Sequence, residues 1–309
     1  MKILVTGGAG FIGSHVTDAF LNDGHQVAVV DSLETGSTSN LNPSAQFFEA
    51  DIRNQERLND IFSEFRPDVV SHHAAQISVP HSVDNPAFDA AINVVGSLNV
   101  WRAARESGAS RFIFASSGGA VYGDAKEIPT PETFIPKPLS PYGLSKQVFE
   151  MYLEQLGAAG DMIPVTLRYA NVYGPRQGAG GEAGVISVFV KRLLDGQPCT
   201  IFGDGTMTRD YVFVGDVAEA NRIALSAGDN DVFNVASTTQ TTTLELFRLI
   251  CELLDCDPEN VQFAPERKGE VFYSCLNAKK ALENLGWESK ISLREGLEKV
   301  IAHERNSRL

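Results

Sequence analysis

The first 31 residues constrain this chain more than any other stretch. Residues 2–5 (KILV) form a short apolar run, T-G-G-A-G-F-I-G follows at 6–13, a helical pattern runs to about Asn22, and QVAVV at 26–30 ends on Asp31. The order is strand, glycine turn, helix, strand, acid. Gly7 and Gly8 permit backbone angles closed to other residues. Gly10 lacks the Cβ that would keep a pyrophosphate away from the free N–H groups of the helix N-terminus, where Phe11 and Ile12 stand. Gly13 lets the helix lie close on the sheet. Asp31, at the end of the second strand, is placed to accept hydrogen bonds from an adenosine ribose. A carboxylate there repels a 2′-phosphate, so the expected cofactor is NAD and not NADP.

Apolar runs at 46–50, 69–73, 111–115 and 165–169 alternate with helical spacing at 55–65, from 85 to about 106, and at 142–156. Such alternation implies right-handed crossovers and a parallel sheet covered on both faces. The expected fold class is α/β, a Rossmann-type doubly wound parallel sheet. Ligands of these sheets bind at the C-terminal strand ends. That edge gathers Gly7, Gly10, Gly13, Asp31, Asp51, Ala74, Ala75, Ser116, Ser117 and Asn171, with Ala74 and Ala75 on the cofactor side. Beyond Gly174 the pattern loosens. Helical spacing recurs at 185–194, 216–226, 244–254, 277–285 and 293–304, and Thr242 with Glu245 forms a capping box before the third of these. This part is expected to be a smaller mixed α/β substrate-binding region. The division is 1–170 and 171–309, with 210–236 packing back on the first unit.

Composition narrows the function. A length of 309 residues suits about two domains, and the net charge of −13 argues against nucleic acid or anionic lipid as a partner. No apolar run reaches the ~18 residues of a membrane span. A strand begins at Lys2, which leaves no room for a signal peptide. Cys199, Cys251, Cys256 and Cys275 show no C-x-x-C spacing and suit reduced thiols in a cytoplasmic protein with no metal site. His72 and His73 are adjacent in a strand and point opposite ways, so they share no metal; structural or cofactor-adjacent roles are expected.

S-P-Y-G-L-S-K at 140–146 carries the chemistry. Residues four apart share a helix face, so Tyr142 and Lys146 project together. A nearby ammonium favours tyrosinate and lowers a phenol pKa from about 10, which lets it take a proton from an alcohol near neutral pH. Ser116 and Ser117, at a strand end, offer a hydroxyl to hold that alcohol; Ser117 is favoured, with Ser116 the alternative. Arg176, Arg209 and Arg267 stand in loop-like segments where a bidentate fork suits a diphosphate.

These residues together resemble the extended short-chain dehydrogenase/reductase family, and within it the 4-epimerases of UDP-hexoses. The match runs over nearly the whole chain: residues 6–13, Asp31, Asp51-Ile52, Asn93, S-S-G-G-A-V-Y-G (116–123), 140–146, R-Y-A-N-V-Y-G-P-R-Q (168–177), G-D-G-T-M-T-R-D-Y-V-F-V-G-D-V-A (203–218) and P-E-R-K-G-E (265–270). The resemblance implies that Tyr142 takes the proton of the sugar 4-hydroxyl. Lys146 holds the nicotinamide ribose and tunes the phenol, and Ser117 bonds the 4-oxygen. A C4 hydride passes to NAD, the 4-keto sugar turns over, and the hydride returns to the other face. It further implies Asp51 and Ile52 at the adenine, Asn93 near the nicotinamide half, Asn171, Arg209 and Arg267 on the diphosphate, and Glu270 on the uridine ribose.

One departure is informative. Longer epimerases carry a Ser or Thr where this chain has Gly118, so the hydroxyl must come from Ser117. Sugar 4,6-dehydratases carry an acid and a base after this strand, and UDP-glucuronate decarboxylases an acid. Gly118 and Gly119 supply neither, which suits epimerisation. UDP-glucuronate 4-epimerase, another nucleotide-sugar dehydratase or reductase of the same family, and a non-catalytic NAD sensor are the alternatives. The helices from 86 to 105 and 142 to 156 resemble the pair that joins relatives into homodimers. Alignment places Ser274, in place of a bulky tyrosine, beside the sugar 2-position, which implies room for N-acetylated sugars.

Overall fold

The computed structural model describes residues 1–160, 162–178, 184–266 and 271–308. Its central feature is a seven-stranded parallel sheet. The strands are β1 (Lys2–Thr6), β2 (Gln26–Asp31), β3 (Gln46–Glu49), β4 (Val69–His72), β5 (Arg111–Ser117), β6 (Ile163–Tyr169) and, after four short strands, β11 (Asp231–Val235), in the order β11-β6-β5-β4-β1-β2-β3. The other strands pair in twos: β7 (Asn171–Tyr173) with β10 (Tyr211–Phe213), β9 (Thr208–Arg209) with β12 (Thr241–Thr242), and β8 (Cys199–Phe202) with β13 (Val261–Ala264).

Side chains alternate across the central strands, and both faces are covered. Leu4, Phe112 and Phe114 enter a core with α2 (Gln55–Phe65), α5 (Ser97–Glu106) and α7 (Pro141–Gly157). Ile3, Val5 and Ile113 enter the opposite core with α1 (Phe11–Asn22) and α9 (Val214–Ala224). Phe112, Phe114 and Phe149 are almost fully buried, and each such side chain stabilises the fold by about 1.5–3 kcal/mol. A third core, around Phe189, Phe247 and Leu297, joins α8 (Val185–Leu194), α10 (Thr243–Leu254) and α12 (Leu293–Asn306). Within residues 210–236, α9 lies on α1 and β11 extends the central sheet beside β6.

The strand order reverses between β1 and β4, and the glycine turn fills that point. Gly7 has φ +70°, and a Cβ on it would lie 2.6 Å from the backbone nitrogen of Ala74. A Cβ on Gly13 would lie 2.2 Å from the Gly7 carbonyl oxygen. Gly13 is therefore needed where the first turn of α1 meets the loop, not where the helix meets the sheet. Gly8 also differs from expectation. Its backbone is not left-handed; a Cβ there would strike Val29 of β2 at 2.7 Å.

The helix expected from 85 to 106 is continuous but uneven. α4 (Pro86–Ala90) passes into a π-helical turn, Ala91–Gly96, and then into α5, with right-handed dihedrals at both junctions. Three short elements carry no readable periodicity: α3 (Val79–Asp84), α6 (Gly118–Val121) and β13. The expected capping box at Thr242 and Glu245 is formed, and Ser292 with Glu295 makes a second at the start of α12.

Two alanine substitutions separate steric from conformational need. Gly24 has φ +79° with nothing near its absent Cβ, so Gly24→Ala should cost about 1–2 kcal/mol for the left-handed backbone alone. Gly13→Ala forces backbone apart and should cost more than about 3 kcal/mol, beyond the usual overpacking penalty. Urea unfolding of both variants measures the difference, and equal losses would refute the steric role of Gly13.

Candidate active site

The glycine turn ends at an open helix start. Gly10 precedes α1 and no side chain caps it, so the N–H groups at Phe11, Ile12 and Gly13 present a positive end to an anion. Asp31 lies beside the turn, its Oδ2 accepting from the N–H of Ala9 at 3.0 Å and its Oδ1 from that of Leu33 at 2.9 Å. Burial raises its pKa, while those two bonds oppose the rise. Each oxygen keeps a lone pair for a further donor. An uncapped helix start, a backbone without Cβ at Gly10 and a carboxylate at the end of the second strand fit a dinucleotide with a free ribose diol.

The reacting groups come together through α7. Ser140 caps the helix by accepting from the Gly143 N–H at 3.2 Å. A Cβ on Gly143 would lie 2.6 Å from the Ala120 carbonyl, so the first turn of α7 presses on α6, which begins just after Ser117. Tyr142 is in that turn and half-buried. One turn on, Lys146 is buried, donates from Nζ to the Ala115 carbonyl at 2.9 Å and lies 4.9 Å from the centroid of the Phe114 ring. Burial pulls its ammonium down to about 8, with Asp89 and then Glu150 opposing the fall. Lys146 thus reaches the end of β5, where Ser117 stands, and Tyr142 lies one turn before it on α7.

The two serines of β5 have different surroundings. Ser116 is buried and donates to Glu150 Oε1 at 2.5 Å. Glu150 in turn accepts from Arg168 at 2.6 Å in a buried ion pair, and Arg168 donates to the Tyr122 hydroxyl at 2.8 Å. Ser117 precedes α6 and makes no capping bond with its side chain. A Cβ on Gly118 would lie 2.3 Å from Leu276 Cδ1. Leu276 occupies the space that a hydroxyl-bearing residue at 118 would need.

The remaining expected residues separate into groups. Ala74 and Ala75 follow β4 against the glycine turn, and the Ala74 N–H donates to Thr6 Oγ1 at 3.2 Å. Asn171 opens β7, its Oδ1 3.7 Å from the place of a Cβ on Gly119. Arg209 donates to the carbonyl of Thr208 at 2.9 Å and faces that of Phe272. Arg176 is bound to Asp18 at 2.7 Å, so it is engaged away from the expected diphosphate. Asp51 is turned onto Arg53, whose hydrogen bonds hold its carboxyl below the usual range, and Ile52 is buried. Arg267 and Glu270 lie outside the described residues.

Asn93 is buried in the π-helical turn, and its amide bonds Gln76, Asp89 and Ser145. Its amide braces α7 from inside through Ser145. His72 bonds Thr6 Oγ1 at 2.6 Å and Ser97 Oγ at 2.8 Å, while His73 bonds Ser71 and stacks on Tyr169. Burial keeps both well below the usual histidine range, and the positive charge of Lys146 adds to the effect. Among the described residues no three His, Cys, Asp or Glu side chains gather as a metal ion requires, and no helix is long and apolar enough to cross a membrane. Sequence reasoning missed Asp89 and Glu150. The step 142–146–150 on one helix face was a usable signal for Glu150; Asp89 had none.

Comparison with known proteins places this architecture. Residues 3–236 match the NAD dependent epimerase/dehydratase family. A putative UDP-glucose 4-epimerase of Methanocaldococcus jannaschii is 45% identical over 305 residues, 99% of each chain. The UDP-glucose 4-epimerase of Thermotoga maritima, solved with UDP-glucose, is 49% identical and superposes over the full length of both chains with a TM-score of 0.98. That of Thermus thermophilus, solved with NAD, is 43% identical, with a TM-score of 0.95 over 99% of this chain and 100% of the other. The nucleotide cradle at the switch point and the Tyr142–Lys146 face of α7 therefore belong to a member of the NAD dependent epimerase/dehydratase family.

Proposed function

We propose that this chain inverts C4 of a UDP-hexose, interconverting UDP-glucose and UDP-galactose through a transient 4-keto sugar. NAD held in the cradle formed by Gly7, Gly10, Gly13 and Asp31 supplies the acceptor and donor of the C4 hydride. The observation that carries the reading is local. Lys146, one helical turn after Tyr142, reaches the end of β5 beside a turn, Gly118-Gly119, that holds neither the acid nor the base needed for elimination of water. The full-length similarity to UDP-glucose 4-epimerases supports the same choice.

In this reading Tyr142 is the base that takes the 4-hydroxyl proton. The charge of Lys146 favours the phenolate. Ser117 donates to the 4-oxygen, since Ser116 is committed to Glu150. Asn171 and Arg209, with Arg267 and Glu270, hold the nucleotide. Residues 1–170 with 210–236 serve the cofactor, and the rest of 171–309 serves the UDP-sugar. The protein acts in the cytoplasm. It works as a homodimer through the faces of α3, the π-helical turn and α7, where Val83, Val95, Leu144 and Met151 are exposed apolar side chains. An apolar face of this kind marks an interaction surface, and a two-fold axis pairs it with itself. The 2-position gate is Ser274, whose N–H donates to the Thr208 carbonyl at 3.2 Å, with Phe272 and Tyr273 packed edge to face beside it.

Incubation with UDP-glucose, UDP-N-acetylglucosamine and UDP-glucuronate, followed by product chromatography, tests the activity. Tyr142→Phe should lower turnover by several orders of magnitude and keep NAD bound; near-normal turnover would overturn the mechanism. Ser117→Ala should cost about 10²-fold in kcat, within the ~10²–10⁴ range of proton-handling partners. Ser116→Ala should instead lower stability by about 1.5–3 kcal/mol, the worth of a hydrogen bond to a charged group. If Ser116→Ala damages turnover more than Ser117→Ala, the serine assignment is wrong.

Light scattering at micromolar concentration should give twice the chain mass, and a monomer refutes the shared helix face. The acetylated sugar should be turned over by the wild type and rejected by Ser274→Tyr, as read from the ratio of kcat/KM values. Equal ratios in the two proteins would remove Ser274 from the gate.

A further inference from the structure

Asp89 lies in α4 and is 1% exposed. Its Oδ1 accepts from Gln76 Nε2 at 2.8 Å and from Asn93 Nδ2 at 3.1 Å. Its Oδ2 is equally enclosed and has no hydrogen-bond partner. A buried carboxylate with an unbonded oxygen is tolerated where a cation compensates it. Lys146 supplies that cation. It is itself buried, and among the charges opposing the effect of burial on it, Asp89 comes first and Glu150 second. Glu150 is already held by Arg168 and Ser116. At the end of β4, burial pushes His72 and His73 well down, the latter to about 3. Of the two carboxylates set against Lys146, Glu150 has Arg168 as a second cation and Asp89 has no ion pair among the described residues. A second link joins the same groups: Asn93 donates to Ser145 Oγ at 3.1 Å, and Ser145 donates to the Tyr142 carbonyl at 2.9 Å.

We propose that Asp89 is a positioning residue of the Tyr142–Lys146 pair. Its buried carboxylate keeps Lys146 an ammonium, and through Asn93 and Ser145 it fixes the first turn of α7. The assignment rests on the reading of Tyr142 and Lys146 as the proton-handling pair. It gives the π-helical turn a role: that turn brings Asn93 inward, between a buried acid and the catalytic helix.

Asp89→Asn keeps the shape and removes the charge, and two measurements test it. The first is the pH profile of kcat/KM. Without the Asp89 charge, Lys146 loses its proton at lower pH, so the alkaline limb of the bell should move down. One unit on the alkaline limb is about a tenfold loss above the limb, with a much smaller loss at the optimum. A uniform fall at every pH would show a merely structural role and overturn the proposal. The second needs no turnover, so it is independent of the Tyr142→Phe result. Lys146→Met should lower the Tm by leaving Asp89 uncompensated, and adding Asp89→Asn should restore part of that loss. Additive losses in the double variant would overturn the pairing, since coupled groups are non-additive.

Discussion

The contact between the end of β1 and the end of β4 is the constraint from which the rest of the site follows. Gly7 permits it, with its absent Cβ 2.6 Å from the Ala74 nitrogen. Thr6 Oγ1 seals it by bonding His72 Nδ1 and accepting the N–H groups of His73 and Ala74. From there one chain of bonds runs through His72 to Ser97 and the Asn93 carbonyl. Another runs from Gln76 through Asn93 to Ser145 in α7. The nucleotide cradle and the reacting helix are thus two ends of one buried polar network. Such a network resists displacement of its members, and rigidity is what a base needs to meet a hydroxyl at a fixed angle.

That rigidity uses buried charge. The Glu150–Arg168 pair and the Lys146 ammonium are enclosed by protein. Breaking a buried pair by removing one member costs about 3–5 kcal/mol, a large part of the roughly 5–15 kcal/mol that holds a domain folded. An apolar core of the same shape would hold α7 equally well. It would not hold an ammonium at the end of β5, and the proposed proton transfer depends on that charge.

The turn after β5 shows how packing selects among related reactions. Leu276 Cδ1 fills the space beside Gly118, and the Tyr169 carbonyl lies 3.3 Å from the same absent Cβ. A side chain at 118 requires both to shift. Here Leu276 keeps any larger side chain out of position 118, and in the proposed reaction that leaves Ser117 to meet the substrate oxygen.

By itself the sequence determined the parallel sheet, the glycine turn with Asp31 beside it, and the placing of Tyr142 and Lys146 one turn apart on a helix. Each depends on local rules: alternation of apolar runs, backbone angles that only glycine adopts, and the 3.6-residue turn. Only the tertiary structure decided the functions of the glycines at 8 and 13, because their absent Cβ atoms meet other segments. It also gave the two serines of β5 different surroundings, since the burial of Ser116 against Glu150 depends on a residue 34 positions away in the chain. The internal brace that Asn93 makes was not legible either, because a π-helical turn, which no pattern of apolar residues announces, carries it inward. Asp89 was illegible for the same reason. Nothing in N-P-A-F-D-A says that its carboxylate will be buried, and only folding brings it near a lysine 57 positions further on, 146 − 89.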